Sequence, residues 1–280
     1  MKENRSEIKD FIKQAFDHVV VSISGGKDSS VLMQYALDNF PLEKLIFVHA
    51  TIDIDWDETK QVVIDQCIHF GVADKLHFVQ AIDKTGKLIG FVDILERKKI
   101  SKGESVEQMF PSMDCRWCTS SLKTGPINKL VRTLKGNIVV LIGERAEESD
   151  QRALLEAIRF SETLSVNGRT VHHLSPILPC SEREVWSVIK ENKIPVHPCY
   201  SLGVSRASCA VCIFSSNKEI AVAGNHAPHI VARLVKAERK LSTSYRYKAP
   251  TKKYPDGQRE SLEMILKLEG AWDKVAELVG

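Results

Sequence analysis

The stretch VVVSISGGKDSSVLM, residues 19–33, decides the fold of this chain. Its first half is a run of β-branched residues that ends in two glycines, which is typical of a buried strand followed by a tight turn. From Ser29 onward, apolar residues recur at helical spacing as far as Asn39. A strand, a glycine turn and the start of a helix direct several backbone N–H groups towards one point. This geometry favours phosphate binding.

The residues around the lysine distinguish this loop from two common phosphate-binding loops. The P-loop requires Gly six residues before its Lys and Ser or Thr directly after it. Here Val21 and Asp28 occupy those positions. The glycine fingerprint of dinucleotide-binding folds is also missing from this stretch. The alternative to a phosphate site is a glycine turn that only joins a strand to a helix.

Composition places the chain among globular cytoplasmic proteins. Its 280 residues are 43% hydrophobic, and 39 Lys and Arg against 36 Asp and Glu give a net charge of +3, which is too small to predict nucleic-acid binding. No apolar run approaches the length of a membrane span, and the N-terminus is typical of a charged amphipathic helix rather than a signal peptide. We therefore expect no membrane contact, and we expect the seven cysteines to be ligands or reactive thiols rather than disulfides.

Strands alternate with helical patterns along the first half of the chain. Further strands are predicted at 44–51, 75–82 and 137–143, with a helix over 57–72. This order predicts an α/β fold with a parallel sheet covered by helices on both faces. Because ligands bind at the carboxyl ends of such strands, the loop and the residues after 143 should share one edge of the sheet.

Two C-x-x-C pairs form the second strong pattern. The sequences DCRWC and SCAVC place cysteines at 115, 118, 209 and 212. Four thiolates in two such pairs are typical of a zinc or an iron–sulfur site. The long gap between the pairs requires that each lies on a separate element and that the fold brings them together. Four unrelated buried cysteines are the alternative.

Four blocks of sequence carry a resemblance to a known family. The loop Ser24–Ser29 resembles the pyrophosphate loop of ATP pyrophosphatases and of the phosphoadenylyl-sulfate (PAPS) reductase group. DCRWCTSSLKTGPINKL (114–130), GERAEESDQRA (143–153) and residues 175–214 resemble further segments of that family, in the family's order. The resemblance implies a Rossmann-like, adenine nucleotide alpha-hydrolase-like fold. It implies a nucleotide and iron–sulfur domain over 1–215, with a small helical C-terminal extension over 216–280.

The resemblance also implies roles for individual residues. Lys27, Asp28 and Arg145 would be catalytic. The residues that would contact the phosphates or sulfate of ATP or PAPS, with Mg²⁺ as an accompanying cation, are Ser24, Gly25, Gly26, Lys27, Asp28, Ser29, Lys123, Arg145, Arg152 and Arg206. Lys123 could instead balance the charge of a cluster, and Arg152 could instead form a surface salt bridge with Glu148.

By the same resemblance, Cys115, Cys118, Cys209 and Cys212 would bind a [4Fe–4S] cluster, which we favour over zinc. Cys199 is a candidate sulfur relay, and the alternatives are a partly buried thiol or a cluster that carries the sulfur itself. We interpret His197 as a packed loop residue rather than a catalyst, because a lone histidine between prolines is typical of a rigid turn.

The departures from the family pattern separate the candidate functions. PAPS reductases use a cysteine in a C-terminal tail, and no cysteine follows Cys212 here. The chain therefore looks more like the DndC-like proteins of the DNA phosphorothioate-modification system. This implies an ATP pyrophosphatase that activates an acceptor for sulfur insertion, with a cysteine desulfurase or another sulfur donor as partner. The alternatives are a PAPS or adenylyl-sulfate reductase with a different thiol, and a non-catalytic nucleotide sensor.

A basic segment over 239–259 is the candidate contact for DNA or RNA. It interleaves Lys and Arg with Tyr245, Tyr247 and Tyr254. Basic residues bind the phosphate backbone and aromatic rings stack on bases. A solvated linker between two amphipathic helices, predicted at 227–241 and 259–279, is the alternative.

Overall fold

The computed structural model describes residues 2–102, 109–112, 114–248 and 258–280. The chain forms two compact units, each assembled from separated stretches of sequence. The first unit comprises 1–51, 58–79 and 124–200, and the second comprises 52–57, 80–123 and 201–280. The sequence-based division of the chain at residue 215 stays a prediction.

The first unit contains a six-stranded sheet with the strand order β3-β2-β1-β4-β6-β5. The strands are β1 (His18–Ser22), β2 (Leu45–Ala50), β3 (Leu76–Val79), β4 (Gly136–Leu141), β5 (Ile158–Phe160) and β6 (Arg169–Leu174). Neighbouring strands are parallel except β5, which runs antiparallel to β6. The predicted α/β fold is confirmed. Since β2 lies on one side of β1 and β4 on the other, the carboxyl end of β1 is the point where such sheets bind ligands.

Helices of the first unit cover both faces of this sheet. The helices, numbered along the whole chain, are α1 (Lys2–Phe11), α2 (Lys27–Asn39), α3 (Thr59–His69), α4 (Phe91–Lys102), α5 (Gly125–Val131), α6 (Asp150–Ala153), α7 (Glu182–Glu191), α8 (Asn217–His226), α9 (Pro228–Leu241), α10 (Leu262–Leu268) and α11 (Asp273–Val279). Side chains of a strand point alternately to opposite faces. Val19 accordingly lies in one core with Leu32 of α2, and Val20 in a second core with Ile127 of α5.

The region after β4 and the C-terminal segment differ from the sequence-based expectations. Strands β5 and β6 follow the fourth predicted strand and had not been predicted. The helix predicted over 259–279 is instead the strand β8 (Gln258–Glu260) followed by α10 and α11. Gly270 separates these two helices with a φ of +68°, and a left-handed glycine after a helix ends it.

The second unit contains α4 and the four helices α8 to α11, together with a two-stranded antiparallel pair formed by β7 (Arg246–Lys248) and β8. In the part of the chain that the structure describes, no helix combines the length and the apolar composition needed to cross a bilayer.

A buried carboxylate on α9 holds the two ends of the segment between α9 and α10. Glu238 is 4% exposed, and its side chain accepts hydrogen bonds from the backbone N–H of Tyr245 (2.5 Å) and of Leu262 (3.0 Å). Burial raises the pKa of Glu238 to about 7, although these two N–H donors favour the charged form. The nearest charged groups are Glu263, which adds to the rise, and Arg239, which opposes it.

We expect Glu238 to make the free energy of unfolding fall as pH rises. The folded carboxyl holds its proton up to a pKa of about 7, whereas the unfolded one releases it near its ordinary value of 4.5. The free energy of unfolding therefore falls as pH rises from 4.5 to about 7, and the fall is complete above pH 7. The size of this fall is on the order of 2 to 3 kcal/mol. The measurement is urea unfolding at pH 5 and at pH 8, for the wild type and Glu238→Gln.

The variant should lose less stability than the wild type between these pH values. Glu277→Gln is the matched control, because it makes the same chemical change at an exposed position on α11 of the same unit, and it should lose as much stability as the wild type. An equal loss in the wild type and Glu238→Gln would contradict the assignment to Glu238.

Candidate functional site

The loop between β1 and α2 has the shape of an anion cradle. Gly25 adopts a φ of +77°, a conformation that L side chains rarely adopt, and a Cβ there would lie 3.3 Å from Val63 Cγ2. Gly26 is extended and directly precedes the first turn of α2. The free N–H groups of a helix start attract negative charge.

Ser29 holds the loop in this shape. Its hydroxyl donates to the Gly26 carbonyl (3.0 Å) and accepts from the Ser24 backbone N–H (3.1 Å). The Ser24 and Ser29 hydroxyls are themselves 3.1 Å apart. These two predicted contact residues therefore shape the turn.

Lys27 is a buried cation at the start of α2. Its side chain is 3% exposed, and Nζ lies 3.3 Å from Glu182 Oε1 and 3.9 Å from Asp28 Oδ2. Although partial burial opposes it, the Lys27 ammonium holds the pKa of Glu182 below its ordinary value. The Glu182 carboxylate therefore lies where Lys27 would attract an anionic ligand.

Arg145 is a second buried cation and reaches the same aspartate. It follows β4, is 3% exposed, and its Nε lies 2.5 Å from Asp28 Oδ1. Its Nη1 lies 2.8 Å from Glu147 Oε2. A Cβ on Gly143 would lie 3.3 Å from the Asp28 backbone, so a side chain there would require β4 and α2 to move apart by a few tenths of an ångström. The structure thus brings together Lys27, Asp28 and Arg145, as the sequence analysis expected.

Arg152 forms the ion pair that the sequence analysis gave as its alternative role. Its Nη1 contacts Glu148 Oε2, and this carboxylate also accepts the Arg145 backbone N–H at 2.9 Å. Arg152 thus supports the turn that carries Arg145. A phosphate contact by Arg152 stays a prediction.

Two further residues contact the loop, the half-buried Tyr200 and the buried Gln66, and the sequence does not predict either contact. The Tyr200 hydroxyl accepts the Lys27 backbone N–H at 2.8 Å, and Lys27 Nζ lies 5.4 Å from the Tyr200 ring centroid. Gln66 Nε2 donates to the carbonyls of Gly25 (3.3 Å) and Pro195 (2.9 Å). Tyr200 lies within residues 175–214, one of the segments that carry the family resemblance. No sequence pattern indicates Gln66, because its partners are distant along the chain.

Cys199 and His197 are buried beneath this region, each 1% exposed. The His197 Nδ1 accepts the Cys199 backbone N–H (3.1 Å), which leaves Nε2 as the donor to Thr59 Oγ1 (3.1 Å). These two hydrogen bonds hold the His197 ring in place in the packed interior. A sulfur relay at Cys199 would require its thiol to become accessible.

All four cysteines of the two pairs belong to the second unit. Cys115 is exposed, Cys209 is buried, and Cys118 and Cys212 are half-buried. Among the described residues, no three Cys, His, Asp or Glu side chains are arranged to hold a metal ion.

Three of these cysteines and the neighbouring Lys123 nevertheless shift one another's pKa values. Burial raises the pKa of the Cys209 thiol, while Lys123 lowers it and Asp55 and Cys212 raise it. Burial likewise raises the pKa of Cys118, against the effect of Lys123. The thiolate charge of Cys209 is the largest cause of the raised pKa of Lys123. The donor set fits a thiolate-bound metal group in its chemistry, because a cation adjoins the thiols that would carry negative charge.

Aromatic rings connect the first cysteine pair with the C-terminal segment of the second unit. Trp117, between Cys115 and Cys118, lies 4.9 Å from Phe91, and Phe91 lies 5.8 Å from Phe110. Phe110 contacts Tyr245 edge to face at 5.6 Å.

The candidate nucleic-acid segment 239–259 is only partly described. Residues 249–257, with Tyr254, lie outside the described residues. Tyr245 is 1% exposed, so the expectation that its ring stacks on a base is wrong for this structure. Arg206 belongs to the second unit and is exposed. Its contact with phosphate stays a prediction.

Comparison with known proteins places this geometry in context. The family model described as "Phosphoadenosine phosphosulfate reductase domain" matches residues 18–215. An uncharacterised 37.8 kDa protein of Escherichia phage 186 is 25% identical over 259 residues, which cover 81% of this chain and 76% of that protein. An uncharacterised protein of Methanocaldococcus jannaschii is 26% identical over 208 residues, covering 72% of this chain but only 38% of that protein.

Among solved structures, this chain is similar to the U34-tRNA thiolase NcsA from Methanococcus maripaludis with its [4Fe–4S] cluster. The TM-score is 0.47 at 15% identity, covering 86% of this chain and 79% of the thiolase.

Proposed function

We propose a nucleotide-dependent activity for this chain, which belongs to the phosphoadenosine phosphosulfate reductase domain family. The loop Ser24–Ser29 would bind the phosphates of ATP, and the chain would cleave ATP to AMP and pyrophosphate to activate an acceptor, a nucleic acid, for sulfur insertion. The observation that carries the proposal is the pair of buried cations, Lys27 and Arg145, that converge on Asp28 at the carboxyl ends of β1 and β4.

The chemistry assigns a task to each of these residues. An acceptor oxygen would attack the α-phosphorus of ATP and form a bond to it, while the bond to the bridging oxygen breaks and pyrophosphate leaves with the electron pair. Lys27 would stabilise the charge that develops on the leaving group, and Asp28 would hold the Arg145 guanidinium in place for the same task. A sulfur nucleophile could then displace AMP from the adenylated acceptor.

The cysteines would supply the sulfur side of the reaction. Cys115, Cys118, Cys209 and Cys212 would hold a [4Fe–4S] cluster, with Lys123 as the neighbouring cation. When bound, such a cluster offers thiolate-ligated iron and sulfide that can bind or carry sulfur. Because the Cys209 thiol has a raised pKa, it would release a proton when it becomes a ligand. The sulfur would come from a cysteine desulfurase or another donor.

Lys27→Met tests the proposal. With anaerobically purified protein, we expect wild type to release pyrophosphate from ATP, and to release AMP when water or a sulfur nucleophile displaces it from the adenylated acceptor. We expect Lys27→Met to form pyrophosphate at least about 100-fold more slowly. The reason is that the substitution removes a buried charge while keeping the length of the side chain. The measurement is chromatographic quantification of AMP and pyrophosphate with DNA, tRNA or no acceptor present.

Lys190→Met is the matched control, because Lys190 is exposed on α7 of the same unit. The ion pairs of Lys27 and Arg145 at the loop do not involve it. It should retain wild-type rates. If the wild type forms neither AMP nor pyrophosphate with any acceptor, the proposed cleavage is wrong.

A PAPS or adenylyl-sulfate reductase is the second candidate, and the family match over 18–215 favours it. This activity would release sulfite from the sulfonucleotide and consume a thiol reductant. Sulfite formed from PAPS with dithiothreitol, in the absence of ATP cleavage, would replace the first proposal by the second.

A further inference from the structure

Tyr245 has a buried hydroxyl. Its side chain is 1% exposed, and in the described part of the chain its hydroxyl forms no hydrogen bond. A buried hydroxyl without a partner costs free energy, about 1 to 3 kcal/mol in proteins. Such a group is retained where a ligand supplies the missing partner.

The surroundings fix the tyrosine in one position. Phe110 packs edge to face against its ring, and the Arg246 guanidinium lies 5.4 Å from the ring centroid. Arg246 is in turn held by Asn217 (2.6 Å) and by the Ser215 carbonyl. The backbone N–H of Tyr245 is bound by Glu238. The hydroxyl is therefore directed by the packing of the second unit and not by a hydrogen bond of its own.

The second C-x-x-C pair lies close to this tyrosine along the backbone contacts of Arg246: the Ser215 carbonyl accepts from Arg246, and the Ser215 backbone N–H donates to the Cys212 carbonyl at 2.9 Å. After burial, which is the largest cause, the charge of Cys212 raises the pKa of Tyr245, and Cys209 adds to the rise, while Arg246 opposes it. Both cysteines form the second C-x-x-C pair. Tyr245 itself lies beyond residue 215, where the family match ends.

We propose that the Tyr245 hydroxyl donates a hydrogen bond to a sulfur atom of the group held at the two cysteine pairs. This inference rests on the proposed cluster and adds a residue from outside the matched domain to its surroundings. A hydrogen bond to a cluster sulfur stabilises the more negative, reduced state and thereby raises the reduction potential. This hydrogen bond would also slow the loss of the cluster from the protein.

Tyr245→Phe tests this inference, with Tyr247→Phe, the same change two residues along the segment, as its matched control. All proteins are reconstituted anaerobically with iron and sulfide. We expect Tyr245→Phe to have a midpoint potential more negative than wild type and to lose iron to a chelator several-fold faster. In the metal-free state its Tm should equal or exceed that of wild type, because the substitution removes an unsatisfied buried hydroxyl and keeps the ring. If Tyr245 had only a structural role, Tyr245→Phe would lower the Tm instead.

A second measurement requires no substitution. Wild-type protein carrying ring-deuterated tyrosine should show deuterium coupling to the reduced cluster by pulsed electron paramagnetic resonance. Absence of that coupling, an unchanged potential and chelation rate in Tyr245→Phe, or a wild type that takes up no iron and sulfide would each overturn the inference. A protein that cleaves no ATP but shows the coupling and the shifted potential would refute the proposed activity and support the role of Tyr245.

Discussion

Arg145→Met is expected to lower the free energy of unfolding by about 3 kcal/mol. The arginine is 3% exposed, and its guanidinium contacts Asp28 Oδ1 at 2.5 Å and Glu147 Oε2 at 2.8 Å. Removing Arg145 leaves the Asp28 carboxylate without its closer cation, with the Lys27 ammonium 3.9 Å away, in a region that water reaches poorly. Asp28 is 17% exposed, so most of the cost should come from this carboxylate. The measurement is denaturant unfolding at neutral pH.

A double variant separates stability from activity. Asp28→Asn in the Arg145→Met background removes the charge that has lost its closer partner, so it should recover most of the lost free energy of unfolding. It should recover none of the pyrophosphate formation, because the cation is still absent. Glu147→Gln is the control, because the Glu147 carboxylate that contacts Arg145 is 57% exposed. It should lower the free energy of unfolding by less than about 1 kcal/mol. A double variant that is as unstable as Arg145→Met would show that the cost comes from packing and not from charge.

The loop and its sheet could be predicted because their signals are local. A run of β-branched residues, two glycines and a helical repeat are contiguous in the sequence, and each specifies its own backbone conformation. The same order of elements fixes the parallel arrangement, and this arrangement brings residues 28 and 145 to one edge of the sheet. The contact between Asp28 and Arg145 therefore followed from topology, although its distance did not.

Other features depend on packing between distant residues, which no periodicity encodes. Gln66 binds the carbonyls of Gly25 and Pro195, which are far from it in sequence. Tyr245 lies in a basic, polar segment and resembles a surface residue until its contact with Phe110 is known. Its burial overturned the expectation of base stacking. The short strand β5 had no signal because three residues are too few for an alternation to be recognised.

The cysteine spacing predicted the donor set but could not predict its geometry. A C-x-x-C pair fixes two thiols locally, and the second pair is joined to the first only through the fold. The structure assigns both pairs to one unit and shows their charges acting on Lys123 and on one another. The gathering of four thiols around a metal group stays a prediction, and replacing single cysteines tests it.

Cys209→Ala is expected to reduce bound iron and acid-labile sulfide by more than about tenfold, since even partners outside the ligand set commonly change metal affinity by that factor. Cys209 is the most buried of the four thiols and adjoins both Lys123 and Cys212. Its loss would remove one of the four proposed ligands and would leave Lys123 without the thiolate that most raises its pKa. The measurement is iron and sulfide content per chain after anaerobic reconstitution, together with the visible absorbance of the cluster.

Cysteines outside the two pairs supply matched controls for this experiment. Cys67 is fully buried in the core of the first unit, where burial raises the pKa of its thiol to about 11, and Cys180 is half-buried in the same unit. Cys67→Ala and Cys180→Ala make the same chemical change and should keep the iron content of wild type. Cys115→Ala, Cys118→Ala and Cys212→Ala should each behave like Cys209→Ala. If the exposed Cys115 alone proved dispensable, the group would be held by three thiols, and the fourth position would be open to sulfur.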